Sequence, residues 1–143
     1  MYKGFDLSNK VAVLTGSTAG MGLAIARGLA QCGAKVVVSS NTQEETNHGA
    51  QLLVREGHSA KGVRCDILSR NDIERFSEEA KRAFGRADVL FCLAAEPAPL
   101  GSVMNSDLAA LDSMLLSTVS NNLALIRRFI PDMAERRDGS IVV

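Results

Sequence analysis

Apolar and polar positions alternate along this chain in two rhythms: short β-branched runs, and longer stretches with helical spacing. Residues 10–15, Lys10-Val11-Ala12-Val13-Leu14-Thr15, form an apolar run that stops at Gly16 and predicts a buried strand. From 21 to 32, Leu23, Ala24, Ala26, Leu29 and Ala30 recur at helical intervals among polar Arg27 and Gln31, and Gly33 is placed to end that helix. A second strand is predicted over 35–40, a polar helix over 43–56 closed by Gly57, and a third, shorter strand over 61–65. Ser69 reads as a helix N-cap followed by Asp72, with Ile73, Phe76, Ala80 and Phe84 as an apolar stripe that ends at Gly85. Residues 88–93 predict a fourth strand opening into the loop Glu96-Pro97-Ala98-Pro99. A long helical region over 107–137, bent or broken near Leu115, leads to a fifth strand that begins at Ser140.

Strands separated by helices of this length require right-handed crossovers, which build a parallel sheet covered on both faces. The fold class predicted is α/β, a doubly wound parallel sheet of Rossmann type containing strands one to five and truncated after them. No linker, repeat or low-complexity tract interrupts the order, so residues 1–143 are expected to form a single domain. A composition of 46% hydrophobic and 22% charged residues fits a soluble globular chain. Sixteen basic and sixteen acidic residues cancel, which argues against a nucleic-acid surface or a polybasic membrane patch. No signal-peptide run follows Met1, and the longest apolar stretch, over 89–95, is too short to span a bilayer. Cys32, Cys65 and Cys92 are odd in number and widely spaced, neither a zinc pattern nor a disulfide framework, and read as buried thiols of a cytoplasmic protein. His48 and His58 lack ligand-spaced partners and read as surface residues, so no metal site is expected. Glu44-Glu45 and Glu78-Glu79 read as solvated helix faces.

The chemistry of the chain centres on Thr15-Gly16-Ser17-Thr18-Ala19-Gly20-Met21-Gly22, at the first turn from strand to helix. Glycine lets the backbone turn sharply and lets a pyrophosphate approach the N–H groups and positive dipole end of the helix. The spacing is Gly-x3-Gly-x-Gly rather than the Gly-x-Gly-x2-Gly of the commoner dinucleotide fingerprint. At the end of the second strand, NAD-selective sites often place an acid for the ribose 2′-hydroxyl. Here the stretch is Ser39-Ser40-Asn41-Thr42, with no acid before Glu44. Hydroxyl and amide donors can bind a 2′-phosphate that a carboxylate would repel, which favours NADP(H) over NAD(H). The same residues would equally serve to cap the following helix.

With these residues in view, the chain resembles the first half of a short-chain dehydrogenase/reductase, and is most similar to carbonyl-reductase-type members. The resemblance rests on the glycine motif with Leu23-Ala24-Ile25-Ala26, on Val36-Val37-Val38-Ser39-Ser40, on Cys65-Asp66-Ile67, on Ala94-Ala95, and on Ile130-Pro131-Asp132-Met133. It implies that Gly16, Gly20 and Gly22 line the pyrophosphate turn with Met21 among them, and that Ser17 and Thr18 lie beside the adenosine ribose or its phosphate. It places Ser40, Asn41 and Thr42 around the 2′ position, Asp66 on the adenine amino group, Ile67 against the ring, and Ala94 and Ala95 near the nicotinamide ribose. For Asp66, a helix-capping or surface role is the alternative. The resemblance also implies a homo-oligomer formed through the long helix over 107–137.

The sequence departs from the family at several places. An Asn-Asn-Ala-Gly sequence is usual after strand four, and Cys92-Leu93-Ala94-Ala95 stands there instead. The asparagine of the family's proton relay falls on Thr118, and Asn121 and Asn122 are out of register for it. The family's reaction uses a serine and a Tyr-x3-Lys pair that follow strand five; the only tyrosine here is Tyr2. No catalytic residue is therefore assigned. The expectation is an oxidoreductase-type chain that transfers hydride between NADP(H) and a carbonyl or secondary alcohol only when completed by a C-terminal half. The alternative is a non-catalytic nucleotide-binding or subunit-interaction protein.

Overall fold

The apolar runs pair into one parallel sheet, as seen in a computed structural model that describes residues 5–143. The strands are β1 (Val11–Thr15), β2 (Lys35–Val38), β3 (Ala60–Gly62), β4 (Val89–Cys92) and β5 (Ser140–Val142), in the spatial order β3-β2-β1-β4-β5. The chain first works outward from β1 through β2 to β3, then crosses back to place β4 on the other side of β1. That reversal makes the gap between β1 and β4 the topological switch point, where sheets of this kind leave a crevice beyond their carboxyl ends.

Side-chain alternation sorts the strands' residues between two layers. Ala12, Leu14, Val36 and Val38 face α1 (Gly20–Gln31) and α2 (Gln43–Arg55), meeting Ala26, Ala30, Ala50 and Leu53. Val13, Val37, Leu90 and Cys92 face α3 (Arg70–Phe84) and α5 (Asn122–Arg136), meeting Ile73, Phe76, Leu125, Phe129 and Met133. Alanines on α1 let that helix lie close to the strands, whereas the opposite layer is filled by large side chains. Fully burying each Phe or Leu there contributes about 1.5–3 kcal/mol. Asp88, 2% exposed, pins the start of β4 beside β1: its carboxylate accepts from Val11 N at 2.8 Å and is paired with Arg86.

Two predicted elements differ in extent. The strand predicted over 61–65 is regular only over Ala60–Gly62, although Val63 N still donates to Val38 O at 3.0 Å and Cys65 N to Ser40 O at 2.9 Å. The long helical region changes at Leu115 as expected, although the backbone stays helical through the change. It runs from α4 (Leu108–Leu115) through a π-helical stretch (Leu116–Asn121) directly into α5. The wider i→i+5 turn shifts the helix register, and within it Ser117 and Asn121 are buried, with Asn122 directly after them. The first turn of α3 is as expected, with Ser69 Oγ accepting from Asp72 N at 3.2 Å.

Candidate functional site

Beyond the carboxyl ends of β1 and β4, the backbone of the glycine turn is pressed against the loop that leaves β4. Gly16 adopts φ +59°, and a Cβ added there would lie 3.0 Å from Ala94 Cα and N. The turn therefore needs glycine both for its left-handed conformation and for this approach. Thr15, fully buried, fastens the same junction from below: its Oγ1 accepts from Leu93 N at 3.1 Å and Ala94 N at 3.2 Å. Gly22 closes the turn, because a Cβ there would fall 2.2 Å from Gly16 O. Gly20, φ +51°, has open space where its side chain would project.

The start of α1 differs chemically from the starts of α2, α3 and α4. Thr42, Ser69 and Asp107 cap α2, α3 and α4 with side-chain oxygens, but the N-cap of α1 is Ala19 and its first turn holds no acid. Its first N–H groups thus face the open side of the glycine turn without a protein carboxylate or hydroxyl on them. Such an end favours an anion.

The sequence-derived site residues gather around this end in two cavities. One, of about 290 Å³, is lined by Gly16, Ser40, Asn41, Asp66, Ile67, Ala94 and Ala95, together with Cys65, Leu93 and Glu96. The other, of about 600 Å³, lies between the start of α1 and the first turn of α2, with Thr18 and Thr42 in its wall beside Ala19, Glu44, Glu45 and His48. Ser17 lies beneath the turn rather than in either wall. Its buried Oγ donates to Leu14 O at 2.8 Å and accepts from Ser39 N at 3.0 Å, so it ties the turn to the end of β2. Met21 projects outward and is 84% exposed. Tyr2 lies outside the described residues.

Several groups that the linear pattern did not single out hold this site together. Arg64 reaches the turn after β2 from the end of β3, its Nε donating to Asn41 O at 2.8 Å while an Nη donates to Asp72 at 2.9 Å. It brings a cation to a turn that has none in its own sequence. Asp72 also accepts from Asp66 N at 2.8 Å. Burial pushes its carboxyl pKa up, but the Arg75 hydrogen bonds, the Asp66 N–H and the Arg75 and Arg64 charges outweigh that and hold it below the usual carboxylate range. Asp66 Oδ1 in turn accepts from Leu68 N at 3.0 Å, a local turn contact that leaves the residue in the cavity wall.

From the π-helical stretch, Ser117 Oγ accepts from Glu96 N at 2.9 Å, and Asn121 Nδ2 donates to Ile67 O at 2.6 Å. The helix thereby anchors both sides of the smaller cavity. Asn122 Nδ2 donates to Thr118 O at 3.0 Å. Both asparagines give their Nδ2 groups to backbone carbonyls, while their Oδ1 atoms are buried without a hydrogen-bond partner. Burial, with the nearby Asp72 and Asp66 carboxylates, pushes the Cys65 thiol up to about 12, which disfavours the thiolate. Burial alone pushes Cys92 up to about 11.

Comparison with known proteins assigns this arrangement. A family model described as short chain dehydrogenase matches residues 10–143. The chain belongs to the short-chain dehydrogenase family. The chain is 40% identical over 137 residues to dehydrogenase/reductase SDR family member 4 of Bos taurus, across 96% of its own length and 49% of the relative's. It spans about half the length of the curated relatives it matches. Among solved structures, a metagenomic short-chain oxidoreductase in complex with NADP superposes with a TM-score of 0.85 at 32% identity, over 94% of this chain and 61% of that one. NAD+-bound xylitol dehydrogenase superposes with a TM-score of 0.88 at 22% identity, over 94% and 52% of the two chains, and shares the fold.

Proposed function

We propose that this short-chain dehydrogenase chain binds NADP(H) and forms the coenzyme-binding part of an oxidoreductase acting on a carbonyl compound or secondary alcohol. The observation that carries the reading is the Gly16 turn at the β1–β4 switch point, packed against Ala94 and opening onto the uncapped start of α1. The residues present fit a dinucleotide. The α1 N–H groups beside Gly20 and Gly22 would hold the pyrophosphate, with Met21 at the outer rim. Thr18, Ser40, Asn41 and Thr42 would surround the ribose 2′ position, with Ser17 fixing the turn beneath them. Asp66 would accept from the adenine amino group and Ile67 would pack against the ring. Ala94 and Ala95 would lie beside the nicotinamide ribose. The nicotinamide ring supplies hydride or accepts it when bound. The protein's part is to orient that ring and to exclude water.

The preference for NADP(H) rests on the absence of an acid over 39–42 and on Arg64, which stands on the carbonyl of Asn41. The 32%-identical metagenomic relative, solved with NADP, agrees with it. No residue here is assigned the proton transfer. Thr118 stands at the family's relay position, and Asn121 and Asn122 hold backbone carbonyls instead. Three free thiols suit a reducing, cytoplasmic setting. A second reading, a non-catalytic nucleotide-binding or interaction protein, is favoured by Cys92-Leu93 where the family's asparagines stand.

Titration calorimetry with NADPH and NADH, paired with an NADPH absorbance assay over a panel of aldehydes and ketones, tests the proposal. Tighter binding of NADPH, with no oxidation by this chain alone, is the expected pair of results. Turnover would show that the chain carries acid–base groups not assigned here. Failure to bind either nucleotide would remove the reading.

A further inference from the structure

The acid missing from the end of β2 is returned by the fold from α2. Thr42 caps α2, its Oγ1 accepting from Glu45 N at 3.3 Å, which is the Thr-x-x-Glu spacing of a capping box. The Glu45 carboxylate, on an exposed residue, turns back along the helix face and accepts from Ser40 Oγ. Ser40 is held in place for this contact. Its backbone N donates to Thr46 Oγ1 at 3.1 Å, and Thr46 Oγ1 itself donates to Thr42 O at 2.7 Å. The first turn of α2 is thus folded onto the strand end with a carboxylate against the serine.

We infer that Glu45 is a specificity-determining residue for the 2′ position: held against Ser40, its carboxylate opposes a 2′-phosphate and accepts from a free 2′-hydroxyl. The inference rests on the proposed reading that residues 40–42 surround that position. The charges facing the place are mixed. Glu44, Glu45 and His48 line the cavity between α1 and α2, and Arg64 stands on Asn41 O from the far side. Arg64 attracts a phosphate and Glu45 repels it, so the coenzyme preference of this site is a balance between these two groups. A hydroxyl meets no such repulsion and gains an ionised acceptor, a stronger hydrogen bond than a neutral one. Glu45 was legible in the sequence only as part of a solvated acidic pair; the hydroxyl at Ser40, five residues earlier, gives it this placement.

The test is the ratio of NADPH to NADH affinity, measured calorimetrically for the unaltered chain, Glu45→Gln, Glu45→Ala and Glu44→Gln. Glu44 lines the same cavity without the Ser40 contact. Thermal unfolding of each variant is measured alongside. Glu45→Gln and Glu45→Ala are each expected to raise the ratio in favour of NADPH by about tenfold, ~1.4 kcal/mol. Glu44→Gln is expected to move it by less than about threefold. An unchanged ratio in both Glu45 variants, with both nucleotides still binding, overturns the inference. So does an equal rise in Glu44→Gln, which would mark a diffuse charge effect. If the unaltered chain binds neither nucleotide, the underlying reading falls and this one with it.

Discussion

Gly20 carries a φ of +51° over open space, while a Cβ on Gly22 would meet Gly16 O at 2.2 Å. These two demands, conformation at one position and close packing at the other, are why a glycine trio is readable without a structure. Side-chain direction is less readable. Ser17 and Ser40 look alike in sequence, yet Ser17 is buried against Leu14 O while Ser40 faces a cavity. Nothing in the linear pattern separates them, because the difference depends on where β2 ends relative to the turn. Arg64 was hidden for a similar reason: it lies well beyond the turn in sequence and reaches it from the segment that follows the neighbouring strand. Of the three thiols expected to be buried, Cys65 and Cys92 are, and Cys32 is only partly covered. Phe91 and Leu93 flank Cys92, whereas Arg64 and Asp66 flank Cys65 and hide its burial from the linear pattern. Alkylation with iodoacetamide at pH 8 is expected to modify the half-exposed Cys32 in the native chain and to spare Cys65 and Cys92 until denaturant is added. Mass mapping checks this; rapid native modification of Cys65 would mean that its side of the cavity opens.

Among the elements, the strands and helices with a strong period were placed from sequence to within a residue or two, and α1 through α3 close at Gly33, Gly57 and Gly85. The long helical region was placed, and so was an irregularity near Leu115, where α4 gives way to the π-helical stretch; the kind of irregularity was not. A π-helical stretch leaves no change in hydrophobic period that a pattern could show. Its cause lies in tertiary contacts, Ser117 to the loop after β4 and Asn121 to Ile67 O. Along the same helical region, Leu116, Val119, Leu123 and Ile130 are exposed. We propose that this face mediates self-association, as the family resemblance implies. Leu123→Glu would place a charge in an apolar contact while leaving the monomer core of Leu125 and Phe129 intact. Sedimentation velocity is expected to show a dimer for the unaltered chain and a monomer for Leu123→Glu, with similar circular dichroism. A monomer in both cases would remove this face as an interface.

At the scale of the molecule, five parallel strands between two helical layers set the crevice at the β1–β4 switch; the alternation of elements was enough to foresee the doubly wound sheet, while the strand order that locates the crevice comes from the structure. What the order of elements could not supply was the chemistry along the crevice. The cation from the segment after β3 and the carboxylate from α2 meet the turn after β2 only once the layers pack. The dinucleotide reading therefore stands on the glycine turn, which is local, while coenzyme choice stands on contacts between elements. The most direct test is calorimetric titration of NADPH into the chain and into Gly20→Val, with unfolding curves for both. Valine at Gly20 would fill the open space before the α1 N-terminus and would resist φ +51°, at a local cost of about 1–2 kcal/mol. Saturable binding by the unaltered chain, lost in a Gly20→Val chain that still unfolds cooperatively, is the expected result. Binding that survives the substitution, or no binding to either chain, would contradict the assignment of the glycine turn as the pyrophosphate site.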